Sequence, residues 1–472
     1  MTRSFNMTRS DAIELAQTQF DSGEFRQTLA RRIAMATESQ NPQRAAELGV
    51  YLNAELRPAL EAMGFACQTL TQAQAAAPFL FAQRIEDGKL PTVFGYGHGD
   101  VIRGQEAQWI DGLSPWRLDE RDGRWYGRGM ADNKGQHSVN LQALANVLQA
   151  RGKLGFNAKI LIEMGEEVGS PGLRGLCEEH KALFRADVMI ASDGPRLSAE
   201  RPTLFLGSRG CLNFDLSIEA RQSAHHSGNW GGLISNPGIQ LAHAIASIVS
   251  GSGQIRIPEW LPAELPDVVR RALADCEVDG GEDGPSIEPL WGEPGLSPAE
   301  RVFGWCSFEV LACRAGNPEA PVNAIPPRAW ARCQLRFVVG IDPHDILPAL
   351  RRHLDRQGFA MVQIESVRAE MSQATRLDPE NPWVQWTLAS IEASSGKKPA
   401  LLPNLGGSLP NDIFADILGL PTIWVPHSYP GCSQHAPNEH LPAALLREAL
   451  SIMTGLYWDL GDGNTPHGLL AD

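Results

Sequence analysis

At 472 residues the chain exceeds the size at which a single hydrophobic core keeps growing, so two domains are expected. A hydrophobic fraction of 43% against 20% charged residues is the balance of a folded globular protein and excludes a disordered one. The formal charge of −14 excludes nucleic acid and anionic membrane surfaces as partners, because both are held by basic patches, and leaves small substrates.

The opening residues, Met1 to Leu15, hold no apolar run of signal-peptide length, and nowhere do about 18 consecutive apolar residues suggest a membrane span. The expected compartment is the cytoplasm. The eight cysteines are scattered without a C-x-x-C pair, so buried, reduced thiols are expected rather than disulfide staples or a zinc-thiolate site.

An amphipathic stretch from Asp11 to Glu38 and another from Gln43 to Met63, closed by Gly64, read as two helices covering one face of a sheet. Apolar β-type runs follow at Phe79 to Gln83, Thr92 to Gly97, Lys159 to Met164 and Asp187 to Ala191, with helical stretches at Gln136 to Gln149 and Pro171 to His180. This alternation predicts an α/β fold with a mostly parallel sheet and helices on both faces. In such sheets a ligand sits beyond the carboxyl ends of the strands, where the loops collect.

From Gly207 the texture changes to alternating runs, Cys211 to Glu219 and Ala329 to Val339, with helices near Asn236 to Ser250 and Asp345 to Gln357. That reads as a separate α+β domain. Ser252 to Glu300, rich in Pro, Gly and acid, forms a long excursion with a short helix near Leu265 to Ala274. Signals of the first kind resume at Pro382 to Ala393, Pro421 to Val425 and Leu441 to Leu456. The expected first domain therefore combines residues 1–206 and 379–472, with residues 207–378 inserted between them.

Gly97-His98-Gly99-Asp100 puts an imidazole and a carboxylate two residues apart at a strand end, where an extended chain turns both the same way. The carboxylate can hold one ring nitrogen and leave the other for a metal, although a histidine satisfied within its own loop fits the same residues. Asp132, in the glycine-punctuated turn Tyr126 to Gly135, either caps the helix that follows or faces a ligand. Glu166 and Glu167 are adjacent acids after a buried strand, and they repel unless a cation or solvent separates them. Asp193 ends another apolar strand, and His435 lies in the loop after the Pro421 to Val425 run.

Together His98, Asp132, Glu167, Asp193 and His435 make a hard-oxygen and imidazole set suited to zinc or manganese. The three carboxylates and one bridging hydroxide balance the charge of two divalent ions, with the imidazoles neutral. Glu166 is left over, as the general base that takes a proton from the bridging water and passes it to the leaving nitrogen.

With these positions in place, the chain resembles the di-zinc metallopeptidase and deacylase family of carnosinase, glutamate carboxypeptidase, aminoacylase, acetylornithine deacetylase and succinyl-diaminopimelate desuccinylase. The resemblance runs from about residue 40 to the C-terminus. His226-Ser227-Gly228-Asn229-Trp230-Gly231-Gly232, the Pro-rich excursion, and Asn323-Ala324-Ile325-Pro326 followed by Arg336-Phe337-Val338 make the carnosinase-like dipeptidases the nearest branch.

The resemblance implies a catalytic domain made of the two outer segments and an inserted lid and dimerisation domain. It implies two divalent ions, zinc first with manganese or cobalt as alternatives, one on His98, Asp132 and Asp193 and one on Asp132, Glu167 and His435. Asp132 would bridge them, Asp100 would orient His98, Glu166 would be the base, and the Asp132–Asn133 peptide would be cis. His226 would stabilise the oxyanion of the tetrahedral intermediate by reaching across a homodimer interface into the partner's site. Gly407 and Ser408, in a glycine-rich loop where the family usually carries threonine for Ser408, would receive the substrate carboxylate, and Asn323 and Arg336 would contact substrate.

The expected activity is hydrolysis of the amide bond of dipeptides or N-acyl amino acids with a free carboxylate, dipeptidase being preferred to N-acyl amino acid deacylase. A competing reading is a catalytically silent dimeric protein of the same fold that binds a small molecule or metal. Its signature would be loss of Glu166 or a metal ligand, and all are present. A third reading, an allosteric or structural partner protein, rests only on the Ser252 to Glu300 excursion.

Overall fold

The computed structural model describes residues 7–278, 284–367 and 371–466. Residues 279–283 of the expected excursion, and 467–472 of the expected last segment, lie outside the described residues.

Among the described residues the largest sheet has eight strands. From edge to edge they are Ala66–Leu70, Phe79–Arg84, Asn157–Glu163, Thr92–His98, Val188–Ala191, Thr422–Trp424, Thr203–Phe205 and Ala400–Leu402. Four neighbours in the middle, from Asn157–Glu163 to Thr422–Trp424, run parallel, with His98 paired to Glu163 and Trp424 to Ala191. These central strands are apolar on both faces, as parallel strands covered by helices must be. One face packs against the helices Lys134–Arg151 and Ala443–Leu460, the other against Leu173–Glu179 and the turn at Ile413–Ile417.

A second, four-stranded antiparallel sheet runs Ser307–Ala315, Arg328–Phe337, Gly210–Glu219 and Gln363–Ser366. Its two central strands alternate buried and half-exposed residues, and the buried set packs on Pro237–Ile248 and Ile346–Arg356 in a core of its own. The chain passes between the sheets at two adjacent places: Thr375 N–H donates to the Ser208 carbonyl at 3.1 Å and Leu377 N–H to the Leu206 carbonyl at 2.8 Å. Gly207 stands at this crossing because any Cβ there would collide with the Thr375 carbonyl.

Two expectations need correction. The helix read over Asp11 to Glu38 is two helices, Arg9–Asp21 and Glu24–Ile33, broken where Gly23 adopts a φ of 85°. Residues beyond Ile33 leave the helix so that Glu38 can pair with Val101 beside the central strands. The cysteines are all free, but Cys313 is exposed and Cys67 and Cys211 are half-buried. The Gln43 to Met63 helix forms with a π-turn at Tyr51–Leu56, since Pro58 has no N–H to offer the carbonyl one turn back. No helix among the described residues is long and apolar enough to cross a membrane.

Candidate metal centre

Because the four central strands are parallel neighbours, their carboxyl ends open on one edge of the sheet, and four stretches far apart in sequence deliver their side chains there. His98 ends one strand. The Glu166–Val168 turn follows Glu163, Asp193 follows Ala191, and the loop to His435 follows Trp424.

His98 is sealed from solvent, with Nε2 2.9 Å from Asp132 Oδ1 and 3.5 Å from Asp193 Oδ2. Its Nδ1 lies 3.3 Å from Asp100 Oδ1 and 3.1 Å from the Asp100 carbonyl oxygen. His435 Nε2 lies 3.0 Å from both Asp132 Oδ2 and Glu167 Oε2. Each carboxylate oxygen of Asp132 thus faces one histidine. The ligand atoms of His98, Asp132 and Asp193, and those of Asp132, Glu167 and His435, form two groups, each within 4.8 Å.

Asp193 tests whether a cation fits. Its Oδ1 accepts the Gly194 N–H at 2.6 Å, while its buried Oδ2 has only a long contact, 3.5 Å, to His98 Nε2 and no well-formed hydrogen bond among the described residues. A charged oxygen so weakly satisfied in the interior is destabilising, and a divalent ion among hard oxygen and imidazole donors removes that penalty. The residues fit divalent metal.

The side chains around this set hold it in shape. Asp100 serves two ligand stretches at once: beside His98 Nδ1, its Oδ1 and Oδ2 accept the backbone N–H groups of Glu166 and Glu167, each at 3.2 Å. Asp132 does not cap the helix Lys134–Arg151; Asn133 occupies that position, and Asp132 Oδ2 accepts Gln434 Nε2 at 2.6 Å. The Asp132–Asn133 peptide is cis. Gly135 follows because a Cβ there would strike the Met130 carbonyl.

Glu439 was not singled out from sequence, yet its buried carboxylate accepts Arg128 Nη1 at 2.8 Å and the N–H groups of Gly129, Ala131 and Asp132 at 3.0, 2.7 and 3.0 Å. One side chain therefore ties the turn carrying Asp132 to the loop carrying His435. An acid four residues beyond a candidate ligand histidine was the available signal.

The field is strongly anionic. Burial lowers the affinity of His98 for a proton, but hydrogen bonds to Asp100, Asp132 and Asp193 outweigh it and hold the imidazole well above its ordinary pKa. Hydrogen bonds to Asp132 and Glu167 push His435 up to about 11. Burial, reinforced by Asp193, Glu167 and Asp132, pushes the Glu166 carboxyl well above the usual range, although His98 pulls the other way.

A cavity of about 520 Å³ opens over these groups and is lined by Asp132, Glu166, Asp193 and His435 on one side and by Arg336, Gly407 and Ser408 on another. Arg336 Nη1 donates to Ser408 Oγ at 3.2 Å. His226 and Asn323 do not line it. His226 is exposed on the two-stranded ladder of His225–His226 with Ala324–Ile325, and Asn323 precedes that ladder's second strand, where the Ser227 N–H donates to the Asn323 carbonyl at 2.9 Å.

The sequence model of peptidase family M20/M25/M40 matches residues 95–459. A β-Ala-His dipeptidase of Mus musculus is 33% identical over 351 residues, 70% of this chain and 71% of the relative. A cysteinylglycine-S-conjugate dipeptidase of Corynebacterium striatum is 28% identical over 335 residues, 68% of this chain and 70% of the relative. The solved structure of the dipeptidase Dug1p from Saccharomyces cerevisiae superposes with a TM-score of 0.79 at 21% identity, covering 97% of this chain and 100% of that one, which is agreement of fold.

Both histidines are held above their ordinary pKa, so in the metal-free protein at pH 7 they keep protons that a metal must displace. Metal affinity should therefore fall as pH falls, and calorimetric titration with zinc at pH 7 should release roughly one proton or more per ion. The apparent enthalpy should accordingly differ between two buffers of unlike ionisation enthalpy. Identical enthalpies in both would contradict this electrostatic picture.

Proposed function

Because the chain belongs to peptidase family M20/M25/M40 and is a metallopeptidase, we propose that it hydrolyses dipeptides that carry a free C-terminal carboxylate. One observation carries this reading: a single cavity joins the acid and imidazole cluster to the Arg336, Gly407 and Ser408 wall, so groups able to attack an amide and groups able to hold a carboxylate share one space. The dipeptidase names of the sequence relatives favour this substrate class over N-acyl amino acids. A silent binding protein would have no reason to keep Glu166 beside a complete ligand set.

In this reading His98, Asp132 and Asp193 hold one divalent ion and Asp132, Glu167 and His435 a second, with zinc the first expectation and manganese or cobalt the alternatives. Bound divalent ions supply Lewis acidity toward a carbonyl and make water more acidic. Glu166 takes the proton of the attacking water and returns it to the leaving nitrogen, a role suited to a carboxyl whose pKa is raised by burial. Gly407 N–H and Arg336, joined by the Ser408 hydroxyl once it turns from the Arg209 carbonyl, receive the substrate carboxylate and fix which amide is presented.

His226 is exposed and lies outside its own chain's cavity, which suits an oxyanion donor acting in a partner's site, with Asn323 beside it. The edge strand Ser307–Ala315, with Val310 and Leu311 exposed, offers unpaired backbone to a second copy. The proposed assembly is a cytoplasmic homodimer in which residues 207–378 form the lid and dimerisation domain on a catalytic domain of residues 1–206 and 379–472.

Replacing Glu166 by Gln should lower kcat by at least about two orders of magnitude while metal content stays at the wild-type level. Glu167→Gln should instead weaken metal binding. The opposite pattern, read by metal analysis and steady-state kinetics, would reverse the roles of the two acids.

Glu166→Gln and His226→Ala chains, each inactive alone, should complement when mixed and allowed to exchange. Half of the randomly paired dimers are mixed and each mixed dimer has one intact site, so roughly a quarter of wild-type activity should return. No recovery in demonstrated mixed dimers would place His226 in its own chain's site or outside catalysis.

A further inference from the structure

Three arginines line the cavity; Arg196 is paired with Glu448, which leaves two guanidinium groups, Arg336 and Arg209. Arg336 donates Nη1 to Ser408 Oγ at 3.2 Å and Nε to Gln334 Oε1 at 3.1 Å. Arg209, only 7% exposed, donates Nε to the Gly406 carbonyl at 2.9 Å and Nη1 to the Trp305 carbonyl at 3.4 Å and to Ser307 Oγ at 3.1 Å. Ser408 ties the two together, because its hydroxyl donates to the Arg209 carbonyl at 2.7 Å. All of these acceptors are neutral, and among the described residues neither guanidinium forms an ion pair with a carboxylate.

A buried charge is ordinarily paired, and two like charges in one cavity raise each other's energy. Burial and the field of Arg336 together pull Arg209 down to about 10. Glu309 exerts a weak field on Arg209 without forming an ion pair, and burial pushes its own carboxyl up. Arg209 Nη2 makes no hydrogen bond among the described residues and is not fully buried; Arg209 lines both this cavity and an adjoining one, and Nη2 lies beside Gly406 of this cavity's wall as a free donor.

A substrate with one carboxylate neutralises one of the two cations and leaves the other buried and unpaired. We infer that Arg209 is a specificity residue that receives a second substrate carboxylate, so that the preferred dipeptides end in glutamate or aspartate. This rests on the dipeptidase reading: the backbone carboxylate goes to Arg336, Gly407 and Ser408, and the side-chain carboxylate of the same terminal residue goes to Arg209. An amide isostere fills the same volume but brings no charge, so it leaves Arg209 uncompensated.

The test compares L-Ala-L-Glu with L-Ala-L-Gln, and L-Ala-L-Asp with L-Ala-L-Asn, on metal-loaded full-length protein. The acidic member of each pair should be favoured in kcat/KM by about ten- to hundredfold, mainly through KM. In Arg209→Met that ratio should fall to near one, and Arg209→Lys should retain part of it. Equal efficiency toward acid and amide in the wild-type protein would overturn the inference while leaving the dipeptidase reading intact. A Met variant that loses both members of a pair equally would also overturn it, making Arg209 a support for the Gly406 loop or a second clamp on the backbone carboxylate. Should Arg209→Met fail to fold, the wild-type comparison decides alone. Failure to cleave any dipeptide would remove the reading beneath it.

Discussion

The site depends on one carboxylate whose two oxygens face different histidines. Asp132 reaches His98 at 2.9 Å with one oxygen and His435 at 3.0 Å with the other, and both ligand groups contain it. A carboxylate that must serve two directions tolerates little rotation, so the residues around it have to fix the backbone that carries it. Glu439 does so by gathering the N–H groups of Gly129, Ala131 and Asp132, and Gly135 does so by leaving room for the Met130 carbonyl. Asp100 plays the matching part on the other side, fastening the Glu166–Glu167 turn while it sits against His98.

This concentration of acid has a consequence for stability. Asp100, Asp132, Asp193 and Glu439 are buried, and Glu166 and Glu167 crowd the same edge, in a chain that is already acidic. Without cations, hydrogen bonds to these carboxylates hold the nearby imidazoles above their ordinary pKa, and burial, reinforced by the neighbouring acids, raises the Glu166 carboxyl. Ions that bind only the folded state stabilise it by mass action, so fold and metal are linked. Arg209 and Arg336 line the same cavity and, among the described residues, pair with no carboxylate.

Much of this was legible from the residues. The apolar runs at Phe79, Thr92, Lys159 and Asp187 became adjacent strands of one sheet, because runs buried on both faces have a strong signature. The alternating runs after Gly207 became a separate antiparallel sheet for the same kind of reason. Short strands such as Thr203–Phe205 and Ala400–Leu402 were missed, since three residues carry no periodicity, and Ser307–Ala315 was missed because an exposed edge strand has no apolar face to announce it. The strand-end acids and histidines pointed to a metal site through chemistry that any strand-end cluster shares. What the pattern could not reveal was how Glu439 and Arg209 are used. Their positions are set by hydrogen bonds to backbone groups that only the folded chain brings within reach.

Metal content measured alongside activity on zinc-reconstituted protein tests the bridging role of Asp132 most directly. If its two oxygens serve two ions, purified protein should take up about two ions per chain, and activity should rise with the second. A stoichiometry that stays at one ion per chain in excess metal, with full activity, would contradict it.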